Sequence, residues 1–76
     1  YVEAHHLIPM KEQENFKYSL DNARNIVALC PNCHRMIHYS EQSVRKEKIT
    51  EIFEKRKKDL DAYKITLSDL HKMYNV

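Results

Sequence analysis

The residues best suited to chemistry in this chain are histidines and cysteines, and they fall in two short stretches. Glu3-Ala4-His5-His6 carries an adjacent histidine pair near the start. Cys30-Pro31-Asn32-Cys33-His34-Arg35-Met36-Ile37-His38 carries a C-x2-C pair and a second histidine pair, spaced i,i+4. Residues four apart share one face of a helix, so the His34 and His38 imidazoles can converge on a single metal ion. Cys33 is rotated about 100° from His34 around the same helix, so thiols and imidazoles are expected to serve different sites. The C-x2-C spacing is that of half a zinc knuckle. On a strand, His5 and His6 point to opposite faces, which suits one ligand and one base rather than two ligands of one ion.

Other chemistries fit these residues less well. The metalloprotease helix motif H-E-x-x-H needs a glutamate base, and here Arg35-Met36-Ile37 separates the two histidines. A redox C-x-x-C belongs to a βαβ setting that this chain is too short to supply. The plainer readings are two thiols buried under the helix, a surface histidine pair, and helix-end roles for His34 and His38. None of the helix-end roles explains why His34 and His38 share a face. His71 lies outside both stretches and reads as a surface residue.

The elements that must position these groups follow from local pattern. Tyr1 to His6, with aromatic and β-branched residues at its start, reads as a strand that Pro9 ends. Met10 to Asn22 is polar and should be a loop containing at most a helical turn, with Phe16 and Tyr18 as anchors. Arg24 to Leu29 reads as a second, antiparallel strand, and the helix runs from about Pro31 to Tyr39, with Pro31 in its first turn and Met36 and Ile37 as core contacts. Val44, Ile49, Ile52, Phe53 and Leu60 give Ser40 to Leu60 the spacing of an amphipathic helix. Tyr63 to Ile65 is a break, and Thr66-Leu67-Ser68-Asp69 can cap a last helix, Ser68 to Tyr74, by a capping box with aspartate in place of glutamate. The expected class is α+β: a small ββα unit over residues 1–40, with residues 41–76 as a helical extension of the same domain.

Seventy-six residues make one small domain with a thin core, the kind of chain that usually needs a metal, a disulfide or a partner as a staple. No apolar run is long enough to cross a bilayer and no targeting segment stands out, so a cytoplasmic protein is expected. The formal charge of +2 argues only weakly for nucleic acid. Basic residues are more telling by position: Arg45-Lys46-Lys48 and Lys55-Arg56-Lys57-Lys58, diluted by Glu47, Glu51 and Glu54, form either a solvated helix face or a set of phosphate contacts. Arg35, beside the histidine pair, is the more attractive phosphate contact. The chain has no glycine, so its turns should rely on Asn, Asp, Ser and two prolines.

Taken in order, Ala4-His5-His6-Leu7-Ile8-Pro9, Asn25 and Cys30 to His38 resemble the HNH endonucleases of ββα-metal fold, in particular the branch found in bacterial restriction endonucleases. The resemblance covers residues 1 to about 40. It implies that His5, His34 and His38 bind a divalent metal (Mg, Mn, Ni or Zn) and that His6 is the general base that activates water for hydrolysis of double-stranded DNA. The products implied are a 5′ phosphate and a 3′ hydroxyl. It gives Asn25 the task of bracing the loop between the strands so that the base is held in position, with Asn22 as a competing candidate. Family members with a C-x2-C here usually carry a second pair upstream, and the four thiolates hold a structural zinc. Cys30 and Cys33 are then half of such a site. The chain is accordingly expected to be a fragment, with the remaining ligands and target recognition in an N-terminal region of a longer protein. A homodimer is one way to cut both strands. Two readings from other classes stand beside the nuclease: a non-catalytic zinc-stabilised DNA-binding module and a helical protein-interaction fragment.

Overall fold

A two-stranded antiparallel sheet and one helix surround the two motif stretches, and two further helices close over them. The computed structural model describes residues 1–76. Strand β1 (Glu3–His6) pairs with β2 (Ile26–Leu29) in the register Glu3↔Leu29, Ala4↔Ala28, His5↔Val27 and His6↔Ile26. Both strands are shorter than the pattern suggests, and the register explains why. Leu29 faces Glu3, and at Cys30 the chain already turns into a helix, so Tyr1 and Val2 have no strand to pair with and are exposed. At the other end Asn25 belongs to a turn, its N–H donating to the Asn22 carbonyl, so β2 begins only at Ile26.

The segment between the strands holds one 3-10 helix, Met10–Asn15, followed by irregular chain. Helix α1 (Pro31–Tyr39) starts where expected: Pro31 fills the first helical position, and the Cys30 sulfur caps it by accepting the Cys33 N–H at 3.3 Å. Ile37 is fully buried on its inner side, while Met36 is half-buried. Helix α2 (Gln42–Leu60) turns Ile49, Ile52, Phe53 and Leu60 inward. A 3-10 turn over Asp61–Tyr63 follows, and helix α3 (Leu67–Met73) opens with a complete capping box: the Asp69 N–H donates to the Thr66 hydroxyl at 3.1 Å, and the Thr66 N–H donates to the Asp69 carboxylate at 2.9 Å.

The core is a single cluster joining both halves of the chain. Leu7, Ile8, Leu20, Val27 and Ile37 from the first half meet Ile49, Ile52, Phe53, Leu60, Tyr63, Leu70 and Tyr74 from the second. Burying an aliphatic or aromatic side chain contributes about 1.5–3 kcal/mol, so the helical extension supplies much of the apolar stabilisation the sheet cannot provide for itself. The absence of glycine has a local consequence. Lys64 takes a left-handed conformation, φ 54°, where the 3-10 turn ends and its N–H donates to the Asp61 carbonyl. Asn75, φ 58°, does so at the end of α3. The expectation that turns would fall to Asn, Asp, Ser and Pro therefore holds for Asn75 and fails for Lys64, whose strain is offset by that closing hydrogen bond.

Candidate active site

The alternation of β1 sorts its residues onto two sides. Glu3 and His5 face α1, and His5 is 7% exposed. His34 and His38, one turn apart on α1, come up against it. Ring centroids are 5.0 Å apart for His5–His34, 5.3 Å for His5–His38 and 5.0 Å for His34–His38. One nitrogen of each ring lies within 4.8 Å of one from each of the others. The three residues expected to share a metal are thus brought together, from a strand and a helix close in space but far apart in sequence.

For His5 and His38 the environment favours the neutral form that a metal requires. Burial pushes His5 down to about 4, helped by the neighbouring His34, His38 and His6. His38 is lowered too, first by burial and then by His34 and Arg45. Neutral imidazoles with free lone pairs are metal ligands, whereas imidazoliums packed together repel. Three imidazole nitrogens within 4.8 Å fit a divalent first-row metal, with remaining positions left for water or substrate.

Two of the three rings are hydrogen-bonded to a further side chain. The Glu3 carboxylate accepts from His34 Nδ1 at 3.1 Å. The buried Tyr74 hydroxyl lies 2.8 Å from His5 Nε2 and donates to the Leu7 carbonyl at 2.6 Å. Its pKa is raised by that burial, so it is a neutral phenol.

His6 leaves β1 on the other side and is half-buried, its Nε2 2.9 Å from the Asp21 carboxylate. It nevertheless lines the same hollow as the triad, a space of about 260 Å³ bounded also by Pro9, Met10 and Tyr74. The adjacent histidines therefore have separate partners and one common opening.

Asn25 is fully buried and spends its amide on the loop between the strands. Its Oδ1 accepts the Ile8 N–H at 2.7 Å, and its Nδ2 donates to the carbonyls of Ile8 at 3.0 Å and Leu20 at 2.9 Å. Its own carbonyl accepts the Leu7 N–H at 2.9 Å. The segment following His6 is thereby tied to the segment preceding β2. Asn22 is exposed and merely turns the chain, accepting the Arg24 N–H at 2.9 Å.

The remaining candidates are dispersed. Cys30 is exposed and Cys33 half-buried, both free thiols outside the histidine cluster. Hydrogen bonds from the Cys33 N–H, first, and then from the Cys33 side chain lower the Cys30 pKa. Arg35 is exposed and lines a hollow of about 440 Å³ with Glu3, Pro31, His34, His38 and Tyr39. Arg45 points into the fold, its guanidinium donating to the carbonyls of Ile37 at 2.8 Å and Tyr74 at 2.7 Å. Lys46 is exposed, and Lys48 lies 4.0 Å from Glu51. His71, half-buried, pairs with the Thr50 hydroxyl at 2.8 Å, away from the cluster.

Sequence reasoning missed Glu3, Asp21 and Tyr74. Glu3 was findable, since it stands two residues before His5 and so on the same strand face. Asp21 offers only a carboxylate in a polar loop, and Tyr74 lies 69 residues from His5 with no local signal.

A two-stranded sheet and helix carrying three clustered histidines define a nuclease-type ββα unit, and the comparisons with known proteins agree. The HNH endonuclease family profile matches residues 1–40, and the chain belongs to that family. Over 43 residues it is 46% identical to the type IV methyl-directed restriction enzyme EcoKMcrA of Escherichia coli (strain K12). That stretch is 57% of this chain and 14% of the enzyme, so the chain spans only a small part of its relative's length. No solved structure matches it. No helix is long and apolar enough to cross a membrane.

Proposed function

We propose that this chain is the catalytic module of a restriction or anti-phage endonuclease, hydrolysing phosphodiester bonds of double-stranded DNA with a divalent metal. The observation that carries this reading is the division of labour between adjacent histidines: His5 joins His34 and His38, while His6 pairs with Asp21 and opens into the same hollow. A purely structural metal site has no use for the second arrangement.

His5, His34 and His38 are the residues that would hold the metal. When bound, it would supply Lewis-acid stabilisation of the charge that builds on the phosphoryl and leaving oxygens. His6 acts as general base. The Asp21 carboxylate can only accept, so His6 donates through Nε2 and keeps Nδ1 free to take the proton of the attacking water. Asn25 holds the chain around this base through four hydrogen bonds and acts by position alone. Arg35, Lys46 and Lys48 are proposed phosphate contacts, whereas Arg45, tied to two backbone carbonyls, contributes through its charge alone. Cys30 and Cys33 would hold structural zinc together with ligands from an upstream, target-recognising region. A second copy is a means of cutting the opposite strand, and a cytoplasmic setting goes with the role.

The test is nicking of a supercoiled plasmid by the folded chain, with Mg²⁺, Mn²⁺, Ni²⁺ or Zn²⁺ and with chelator. Metal-dependent cutting is expected. A folded, metal-loaded chain that binds the plasmid and leaves it intact would instead favour a zinc-stabilised binding module.

A further inference from the structure

Two of the three clustered histidines are held from behind by groups that dictate which ring nitrogen carries the proton. Tyr74 has one hydroxyl hydrogen, and it goes to the Leu7 carbonyl at 2.6 Å, a group that can only accept. The Tyr74 oxygen is therefore left to accept from His5 Nε2, 2.8 Å away. Glu3, as a carboxylate, likewise accepts from His34 Nδ1 at 3.1 Å. The two rings must then carry their protons on opposite nitrogens: Nε2–H in His5, with Nδ1 as the free donor, and Nδ1–H in His34, with Nε2 as the free donor.

We propose that Tyr74 and Glu3 are positioning residues of the metal centre, which set opposite tautomers in His5 and His34 and lock both rings for ligation. The inference rests on the reading of the histidine triad as a metal site. It extends that site to the far end of the chain: Tyr74 lies beyond residues 1–40, where the family profile matches. It also gives the helical extension a task besides burying apolar surface. Arg45 of α2 holds the Tyr74 carbonyl at 2.7 Å, and the Tyr74 N–H bonds within the last turns of α3, so the phenol is delivered from a fixed backbone. Partners of this kind typically change metal affinity by about 10–100-fold. His38 has no such partner, so tautomer control falls on the other two ligands.

The experiment uses the 76-residue chain. Long-range ¹H–¹⁵N NMR reads the histidine tautomers without metal, and competition with a chromophoric chelator reads Zn²⁺ and Ni²⁺ affinity. Expected are an Nε2–H His5 and an Nδ1–H His34 in the parent chain. Tyr74→Phe should release the His5 preference and weaken metal binding by about 10–100-fold, with near-native circular dichroism. Glu3→Ala should do the same at His34, while Glu3→Gln, which can still accept through its amide oxygen, should largely restore the tautomer. The Glu3 variants and the parent spectrum carry the test even where Tyr74→Phe lowers stability. An Nδ1–H His5 in the parent chain, or unchanged affinity and tautomers in folded Tyr74→Phe and Glu3→Ala, would overturn the proposal. Opposite tautomers in a parent chain that binds no metal would contradict the reading of the triad instead, which keeps the two failures apart.

Discussion

Helix α1 and its N-cap carry two sets of candidate metal ligands, and the structure treats them differently. At its start, Cys30 and Cys33 are free, partly exposed and joined by little more than a capping hydrogen bond. Further along, His34 and His38 meet His5, with Glu3 and Tyr74 hydrogen-bonded to two of the three rings. The sequence offers the cysteines as half of a site and the histidines as a full set, and the structure brings together only the histidines. A ligand set is finished when distant elements bring both the remaining ligands and the groups that orient them. The histidines have this within the chain; the cysteines do not.

The contrast can be broken most severely at Asn25. Asn25→Ala removes three side-chain hydrogen bonds from a fully buried site and strands the Ile8 and Leu20 backbone groups. At about 1–3 kcal/mol for each buried polar group left unpaired, the loss should exceed about 3 kcal/mol, a large share of the stability of so small a domain. Urea denaturation would measure it, and a change below about 1 kcal/mol would contradict the bracing role.

Acid should strike the histidine region next. In the metal-free protein His5 titrates at about 4, against 6.5 for an unperturbed imidazole. Between these values the unfolded chain binds the proton and the native chain does not, so stability rises with pH across the window. Falling pH should therefore cost stability from about 6.5 downward, on the order of 3 kcal/mol by pH 4, with His38 and His71 acting in the same direction. Denaturation curves at stepped pH would show it, and a flat profile over this range would argue against a buried neutral His5.

The helix that delivers Tyr74 can be loosened more gently. Thr66→Ala takes one half of the capping box from α3 and should lower stability by about 1 kcal/mol. The smallest effect belongs to the cysteines. In this chain Cys30→Ser, which keeps a side chain able to cap α1, and Cys33→Ser should each change stability by no more than about 0.5 kcal/mol, read as a shift in thermal midpoint. A larger loss accompanied by zinc release would show that the thiols already hold a metal within this chain and would erase the contrast with the imidazoles.

Much of this organisation was legible in the sequence, for reasons of periodicity and capping. The i,i+4 histidines, proline in the first turn and the Thr66–Asp69 box are local signals, and the helices they define lie where expected. Strand ends were less legible, because pairing with a partner rather than local propensity decides where a strand stops. Lys64 takes its left-handed conformation where the 3-10 turn after α2 closes on the Asp61 carbonyl, and it has no signature in residue type. At the site, local spacing offers the histidines themselves, whereas Asp21 and Tyr74 reach their rings across 15 and 69 residues and depend on the finished fold.

Whether His5 and His6 do separate jobs can be read from one paired measurement. His5→Ala and His6→Ala should be compared with the parent chain for bound metal and for plasmid nicking, in the same preparations and with folding checked. His5→Ala is expected to lose the metal and the cutting together. His6→Ala should keep the metal while its cutting rate falls by about 10²–10⁴-fold, the range expected for removing a general base. Cutting at the parent rate by metal-loaded His6→Ala would contradict it.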